Sequence, residues 1–146
     1  MVSVILPDSV TSIGVYAFMY TSLLTIDLPD SVTSIGASAI RQCTSLTTID
    51  LPDSLQTIAN YAFYKCTSLT TLDFPDSLQS IGGNAFDGCS SLTTVTLRGS
   101  TPPSLDSYAI LGWSALTAIY VPEGSVDAYK AANGWSAYAD KIQAGP

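Results

Sequence analysis

Apolar and polar positions along this chain follow a rhythm that changes period and then starts again. In the stretch Ser45–Cys66, SLTTIDLPDSLQTIANYAFYKC, Ile49 and Leu51 alternate with Thr48 and Asp50. That period of two predicts a strand over Thr47–Leu51 with one face inside and the other outside. Leu46 stands just before it and completes the pattern LxxIxL. Pro52–Asp53–Ser54 predicts a turn, because proline has no N–H for a ladder and Asp and Ser bond to nearby backbone. A return segment follows in which Leu55 and Ile58 point inward. A short tight piece, Asn60–Cys66, then turns Ala62, Phe63 and Cys66 to the core. Gly14, Gly36 and Gly82 each follow the inward isoleucine and are expected at a bend; Ala59 departs from this.

The whole unit recurs. Leu51, Ile58, Phe63 and Cys66 return as Phe74, Ile81, Phe86 and Cys89, 23 residues later. The same slots read Leu28, Ile35, Ile40 and Cys43 at 23 residues earlier, and Leu6, Ile13 and Phe18 at a further step of 22. A fixed period of about 20–50 residues signals stacked repeats, in which no single unit can bury its own apolar face. Aligned copies give two inward columns: Val4, Ile26, Ile49, Leu72, Val95, Ile119, and Leu6, Leu28, Leu51, Phe74, Leu97, Val121. Stacking joins them into one core, stabilised by about 25 cal/mol per Å² of apolar surface buried. The two outward columns are Ser3, Thr25, Thr48, Thr71, Thr94, Ala118 and Ile5, Asp27, Asp50, Asp73, Thr96, Tyr120.

The last copy is irregular. From Leu97 to Val121 the step is 24, and the turn becomes Arg98–Gly99–Ser100–Thr101–Pro102–Pro103. Trp113 takes the cysteine slot. After Pro122 the repeat stops; Ser125 can cap a helix over Val126–Ala132, closed by Asn133–Gly134. Trp135, Tyr138, Ala139 and Ile142 fall at helical spacing, which predicts a lid on the last coil, since terminal repeats need a cap with a polar outer face. The expected division is a solenoid of about five repeats of 22–24 residues over 1–122, its first copy truncated, and a helical cap over 123–146.

Composition narrows the chemistry. Net charge is −7 and the chain has no histidine, so phosphate backbones are repelled and Ser–His or Cys–His nucleophilic sets cannot form. No GxxxxGK phosphate loop occurs, and carboxylate neighbours on an open sheet have nothing to desolvate one of them. No enzyme activity and no cofactor are expected. No apolar run reaches the roughly 18–20 residues that cross a bilayer. The start has neither the basic region nor the apolar segment of a signal peptide, and it falls inside a repeat. A piece of a longer protein is expected to look so, and the missing address then says nothing of location. Cys43, Cys66 and Cys89 share one slot. Parallel side chains about 4.7–4.9 Å apart exceed the roughly 3.8 Å Cβ separation of a disulfide, so buried free thiols are expected.

At these residues the chain resembles a known family. The recurring LPDSVTSIGxxAFxxCTSLTTIDL is similar to the BspA-type leucine-rich repeat of surface proteins from anaerobic bacteria and some parasites. The ending TPPSLDSYAI…AIYVPEGSVDAYKAANGWSAYADKI resembles the closure common in such proteins from gut bacteria. The resemblance implies a right-handed leucine-rich-repeat solenoid with parallel strands stacked one per repeat, short helical or 3-10 return segments and a helical cap. It further implies display at the cell surface or outside the cell, adhesive or protein-binding roles, and no catalytic residues. Ile40 stands where the repeat has Phe, and a one-residue deletion near Met19–Tyr20 removes a cysteine.

The expected binding face is the exposed strand face: Thr25, Asp27, Thr48, Asp50, Thr71, Asp73, Thr94, Thr96 and Tyr120. Its partner is expected to be a host or extracellular-matrix protein. Asp27, Asp50 and Asp73 form a column that could hold Ca²⁺ but reads better as a solvated face discouraging edge pairing, so no metal site is assigned. The acidic turn column Asp8, Asp30, Asp53 and Asp76 reads as structural. Two alternatives stand beside protein binding. One is a carbohydrate-binding module using Tyr16, Tyr61, Tyr64 and Tyr108; the other is a passive spacer in a larger surface protein. The uncovered edge at Val2, Val4 and Leu6 predicts edge-to-edge pairing of two copies or a longer parent.

Overall fold

The computed structural model describes residues 2–146, and all its strands run parallel in two ladders. The first ladder holds the LxxIxL strands: β1 (Ser3–Ile5), β3 (Thr25–Asp27), β6 (Thr71–Phe74), β8 (Thr94–Leu97) and β10 (Ala118–Val121). The second holds the return segments: β2 (Ser12–Ile13), β4 (Ser34–Ile35), β5 (Thr57–Ile58), β7 (Ser80–Ile81) and β9 (Ser104–Leu105). Alternation decides what each strand buries: in β6, Leu72 and Phe74 are inside while Thr71 and Asp73 are out. Registers follow the sequence columns, with Val4 opposite Ile26, Leu72 opposite Val95, and Ile13, Ile35, Ile58, Ile81 and Leu105 in one row.

One predicted strand is reduced. Thr47–Leu51 contributes only the bridge Asp27–Asp50, so the first ladder divides into a two-stranded and a four-stranded part. The bonds flanking the break, Thr47 N–H to Leu24 O and Thr70 N–H to Thr47 O, are both 3.3 Å. These lie beyond the usual 2.9–3.0 Å, and the loosening coincides with the rungs that carry neighbouring carboxylates.

The core is the sum of the columns. Phe63 and Phe86 stack at 4.8 Å with an interplanar angle of 6°, and Phe74 meets Phe86 edge-on at 5.4 Å. Ile40 fills the phenylalanine slot of its coil and is fully buried.

The cysteines are buried, and each thiol donates to a carbonyl of the preceding coil: Cys43 to Phe18 at 3.0 Å, Cys66 to Ile40 at 3.1 Å, Cys89 to Phe63 at 3.3 Å. Trp113 Nε1–H continues the series to Phe86 O at 3.1 Å, and the cap's Tyr138 hydroxyl ends it at Ile110 O, 2.8 Å. The column is a donor series, with thiol, indole and phenol performing one task.

Gly14, Gly36 and Gly82 open the bends, their carbonyls accepting from the N–H of Ala17, Ala39 and Ala85, each at 3.2 Å. Gly36 and Gly82 sit where an added Cβ would lie 2.8 Å from Ile13 O and 2.5 Å from Asn60 N, so they permit close approach of coils. The left-handed conformation falls instead at two other slots. One is Tyr16, Ser38, Tyr61, Asn84 and Tyr108; the other is Tyr20, Gln42, Lys65, Gly88 and Gly112.

The C-terminal segment differs in part from a helical lid. A helix α1 (Val126–Ala131) and a 3-10 stretch Trp135–Lys141 are present, but Ile142 opens a strand, β11 (Ile142–Ala144), paired with β10. Ile142 lies opposite Ile119 and so continues the inward column instead of a helical stripe. Backbone pairing at the open edge of β10 decides this. Buried Tyr129 and Trp135 donate to carbonyls of the irregular turn, Tyr129 to Gly99 at 2.8 Å and Trp135 to Pro103 at 2.9 Å. No described helix is long and apolar enough to cross a membrane.

Candidate functional site

The first ladder presents its outward columns as one strip. Thr25, Asp27, Thr48, Asp50, Thr71 and Asp73 are exposed, Thr94, Thr96 and Tyr120 are half-buried, and Ala118 is buried. The outward face therefore narrows toward the C-terminal end, where β11 adds a rung and Gly145 lies against Tyr120. A recess of about 540 Å³ opens there, bounded by Thr96, Tyr120, Glu123 and Pro146.

Arg98 is the residue the column reading missed. It occupies the slot that is proline in the preceding copies, and its side chain reaches back along the stack. Its Nη1 lies 2.8 Å from Asp53 Oδ1, and its Nε lies 3.2 Å from Asp73 Oδ1. The carboxylates of Asp53, Asp73 and Asp76 outweigh partial desolvation and raise its pKa above the usual guanidinium value. One cation thus ties the turn column to the strand column. The signal was present in the sequence: the PDS turn is lost at Arg98–Gly99, where arginine replaces the proline and glycine ends the acidic column.

The aspartate column is a carboxylate strip, and among the described residues no group of three His, Cys, Asp or Glu side chains is arranged to hold a metal ion. Its chemistry is hydrogen-bond acceptance and negative charge, with Thr hydroxyls beside it and one fixed guanidinium at its edge. Two of the thiols are held protonated. Burial pushes Cys66 far above the ordinary thiol range and Cys89 up to about 12, and a thiol held protonated is a poor nucleophile.

A second surface lies beside the return ladder. Tyr16, Tyr61 and Tyr108 project there at 60%, 39% and 65% exposure. Tyr64 packs its ring edge to face against Tyr61 at 5.4 Å, and the Arg41 guanidinium lies over both rings at 5.0–5.3 Å. Between the coils of Tyr61 and Tyr108 runs an open polar groove of about 360 Å³ lined by Asn60, Asn84, Asp106 and Ser107. The sequence columns single out the tyrosines but not these polar neighbours, because Asn60, Asn84, Asp106 and Ser107 fall in slots whose residue type changes from copy to copy.

The model of the BspA-type leucine-rich repeat region matches residues 1–130 in six copies. Among solved structures, a leucine-rich repeat protein of T. pallidum is 36% identical, with a TM-score of 0.77, over 84% of this chain and 59% of that one. A leucine-rich repeat protein of Bacteroides capillosus is 33% identical, with a TM-score of 0.61, over 66% of this chain and 77% of that one. The pneumococcal vaccine antigen PcpA shares the fold at 20% identity and a TM-score of 0.73, over 99% of this chain and 41% of that one. The chain thus spans less than two thirds of the length of the T. pallidum and pneumococcal proteins. No curated protein sequence matches it.

Proposed function

The chain belongs to the BspA-type leucine-rich-repeat family, and from that premise we propose that it is a non-enzymatic interaction module displayed outside the cell. It binds a host or extracellular-matrix protein through the first ladder. The observation that carries this is Arg98, fixed between Asp53 and Asp73 beside exposed Thr and Asp rungs. Arginine is among the side chains that anchor interfaces, and one already held by two carboxylates loses little freedom on binding. Outside the break at Thr47–Leu51 the backbone of the strip is tied by the ladder, so a partner meets a surface that needs little reordering. Charge complementarity selects a basic partner surface and speeds its approach.

The test is surface plasmon resonance against a panel of purified matrix proteins, at two salt concentrations. Saturable binding that weakens with salt is expected. The triple Asp27→Asn, Asp50→Asn, Asp73→Asn variant should lower affinity about tenfold or more, chiefly through the on-rate. Binding indifferent to that triple variant and to Arg98→Ala would remove this face from the proposal. A panel without any saturable binder would leave the passive-spacer reading in its place.

A further inference from the structure

The tyrosines beside the return ladder are evenly spaced. Their slot reads Tyr16, Ser38, Tyr61, Asn84, Tyr108, so an aromatic ring stands on every second coil and a small polar side chain between. All five residues share one left-handed conformation, with φ of 60° at Tyr16, 59° at Tyr61 and 61° at Tyr108, so the Cα–Cβ bonds leave the backbone alike. Successive coils are hydrogen-bonded at this slot: Tyr16 N–H to Ala37 O at 3.1 Å, Ser38 N–H to Asn60 O at 3.0 Å, Tyr61 N–H to Gly83 O at 2.9 Å and Asn84 N–H to Ser107 O at 3.2 Å. Coils paired in this way lie about 4.7–4.9 Å apart, so the rings recur about every 9.5 Å along the stack.

That spacing is close to the length of one disaccharide in an extended β-1,4-linked polysaccharide. In such a chain alternate sugars are turned over, so the same sugar face recurs once per disaccharide. A ring on every second coil meets that face each time. A ring on every coil would not.

The space between the rings has the matching polar chemistry. Asn60 Oδ1 accepts from Gly83 N–H at 2.8 Å, which fixes the amide and leaves its NH₂ to donate. Asn84 Nδ2 donates to Asp87 at 3.0 Å, which leaves Asn84 Oδ1 to accept. Exposed Asp106 and Ser107 complete a groove that can both give hydrogen bonds to sugar hydroxyls and take them from it. Tyr61 is braced by Tyr64 and Arg41, so its ring is fixed before any ligand arrives.

We propose that Tyr16, Tyr61 and Tyr108, with the groove of Asn60, Asn84 and Asp106, form a binding track for an extended β-1,4-linked glycan lying along the solenoid axis. This site is separate from the protein-binding strip on the first ladder and stands or falls without it.

The test is isothermal titration of the intact chain with β-1,4-linked gluco-oligosaccharides of two, four and six sugars, and with α-1,4-linked chains of the same lengths. Affinity should rise about tenfold for each further ring engaged, the scale of a well-made aromatic contact. The α-linked series, which coils away from a straight track, should bind more weakly at every length. Tyr61→Ala should lose about tenfold on the hexasaccharide and flatten the length dependence, while Tyr61→Phe keeps the ring and the affinity. Tyr20→Ala, at a tyrosine as exposed as Tyr16 but in another slot, should change nothing. The proposal is overturned if no β-linked oligosaccharide binds, if affinity does not depend on length, if α-linked chains bind as well, or if Tyr20→Ala costs as much as Tyr61→Ala.

Discussion

Val4 and Ile119 occupy the same slot of the same repeat, yet Val4 is half-buried at one end of the stack and Ile119 is fully buried at the other. Leu6 and Val121 differ in the same way. At the C-terminal end, β11 adds a rung, Ile142 extends the inward column, and Tyr129, Trp135 and Tyr138 reach otherwise unserved carbonyls. At the N-terminal end no described strand lies beyond β1, so Val4 and Leu6 are covered on one side only, while exposed Val2 and Ile5 stand in slots that face outward along the stack. An apolar side chain in this architecture is as buried as its neighbouring coil makes it. The contribution of a slot depends on its place in the stack as much as on its residue.

The comparison is broken or sharpened most strongly by core truncation. Phe63→Ala in the middle of the stack should cost about 3–5 kcal/mol in urea unfolding. A smaller loss would show that neighbouring coils close over the gap.

Next in size is Tyr138→Phe, which leaves Ile110 O without its donor and should cost about 1–3 kcal/mol. Cys66→Ala tests the same donor series at mid-stack. A neutral Tyr138→Phe would mean that the cap is held by apolar contact alone.

Alkaline pH addresses the buried thiols Cys66 and Cys89. An unfolded thiol loses its proton near 9.0, whereas folded Cys89 holds it to about 12. Between those values the native state binds more protons, so stability falls as pH rises through the window and is unaffected below it. One unit above 9.0 the loss is about 1.4 kcal/mol for Cys89, and Cys89→Ala should flatten the slope. A pH-independent unfolding midpoint from pH 8 to about 10.5 would contradict this burial.

At the open end, Val4→Ala should cost about 1 kcal/mol or less, well below Phe63→Ala. A cost near that of a core position would mean that the edge is sealed in solution by a second copy. Size-exclusion chromatography with light scattering would then show a dimer.

The smallest effect belongs to Arg98→Ala, whose exposed ion pairs contribute about 0–1 kcal/mol and less in high salt. Its consequence should be read in binding, not in stability.

Residue periodicity determined most of this molecule: the step of 22 to 24, both inward columns, the outward Thr and Asp columns, the shared cysteine slot and the place where the repeat ends. These were legible because stacking a fixed period forces like slots side by side. Tertiary structure alone decided what crosses between slots. Arg98 bridges two columns that no single alignment joins. Trp113 and Tyr138 replace a thiol because all three can donate to the carbonyl below. Ile142 becomes a strand residue because β10 offers an unpaired edge, although its spacing suits a helix. The left-handed backbone at Tyr16, Tyr61 and Tyr108 also belongs to tertiary structure. Tyrosine carries no preference for that conformation, and only the hydrogen bonds between coils hold it there.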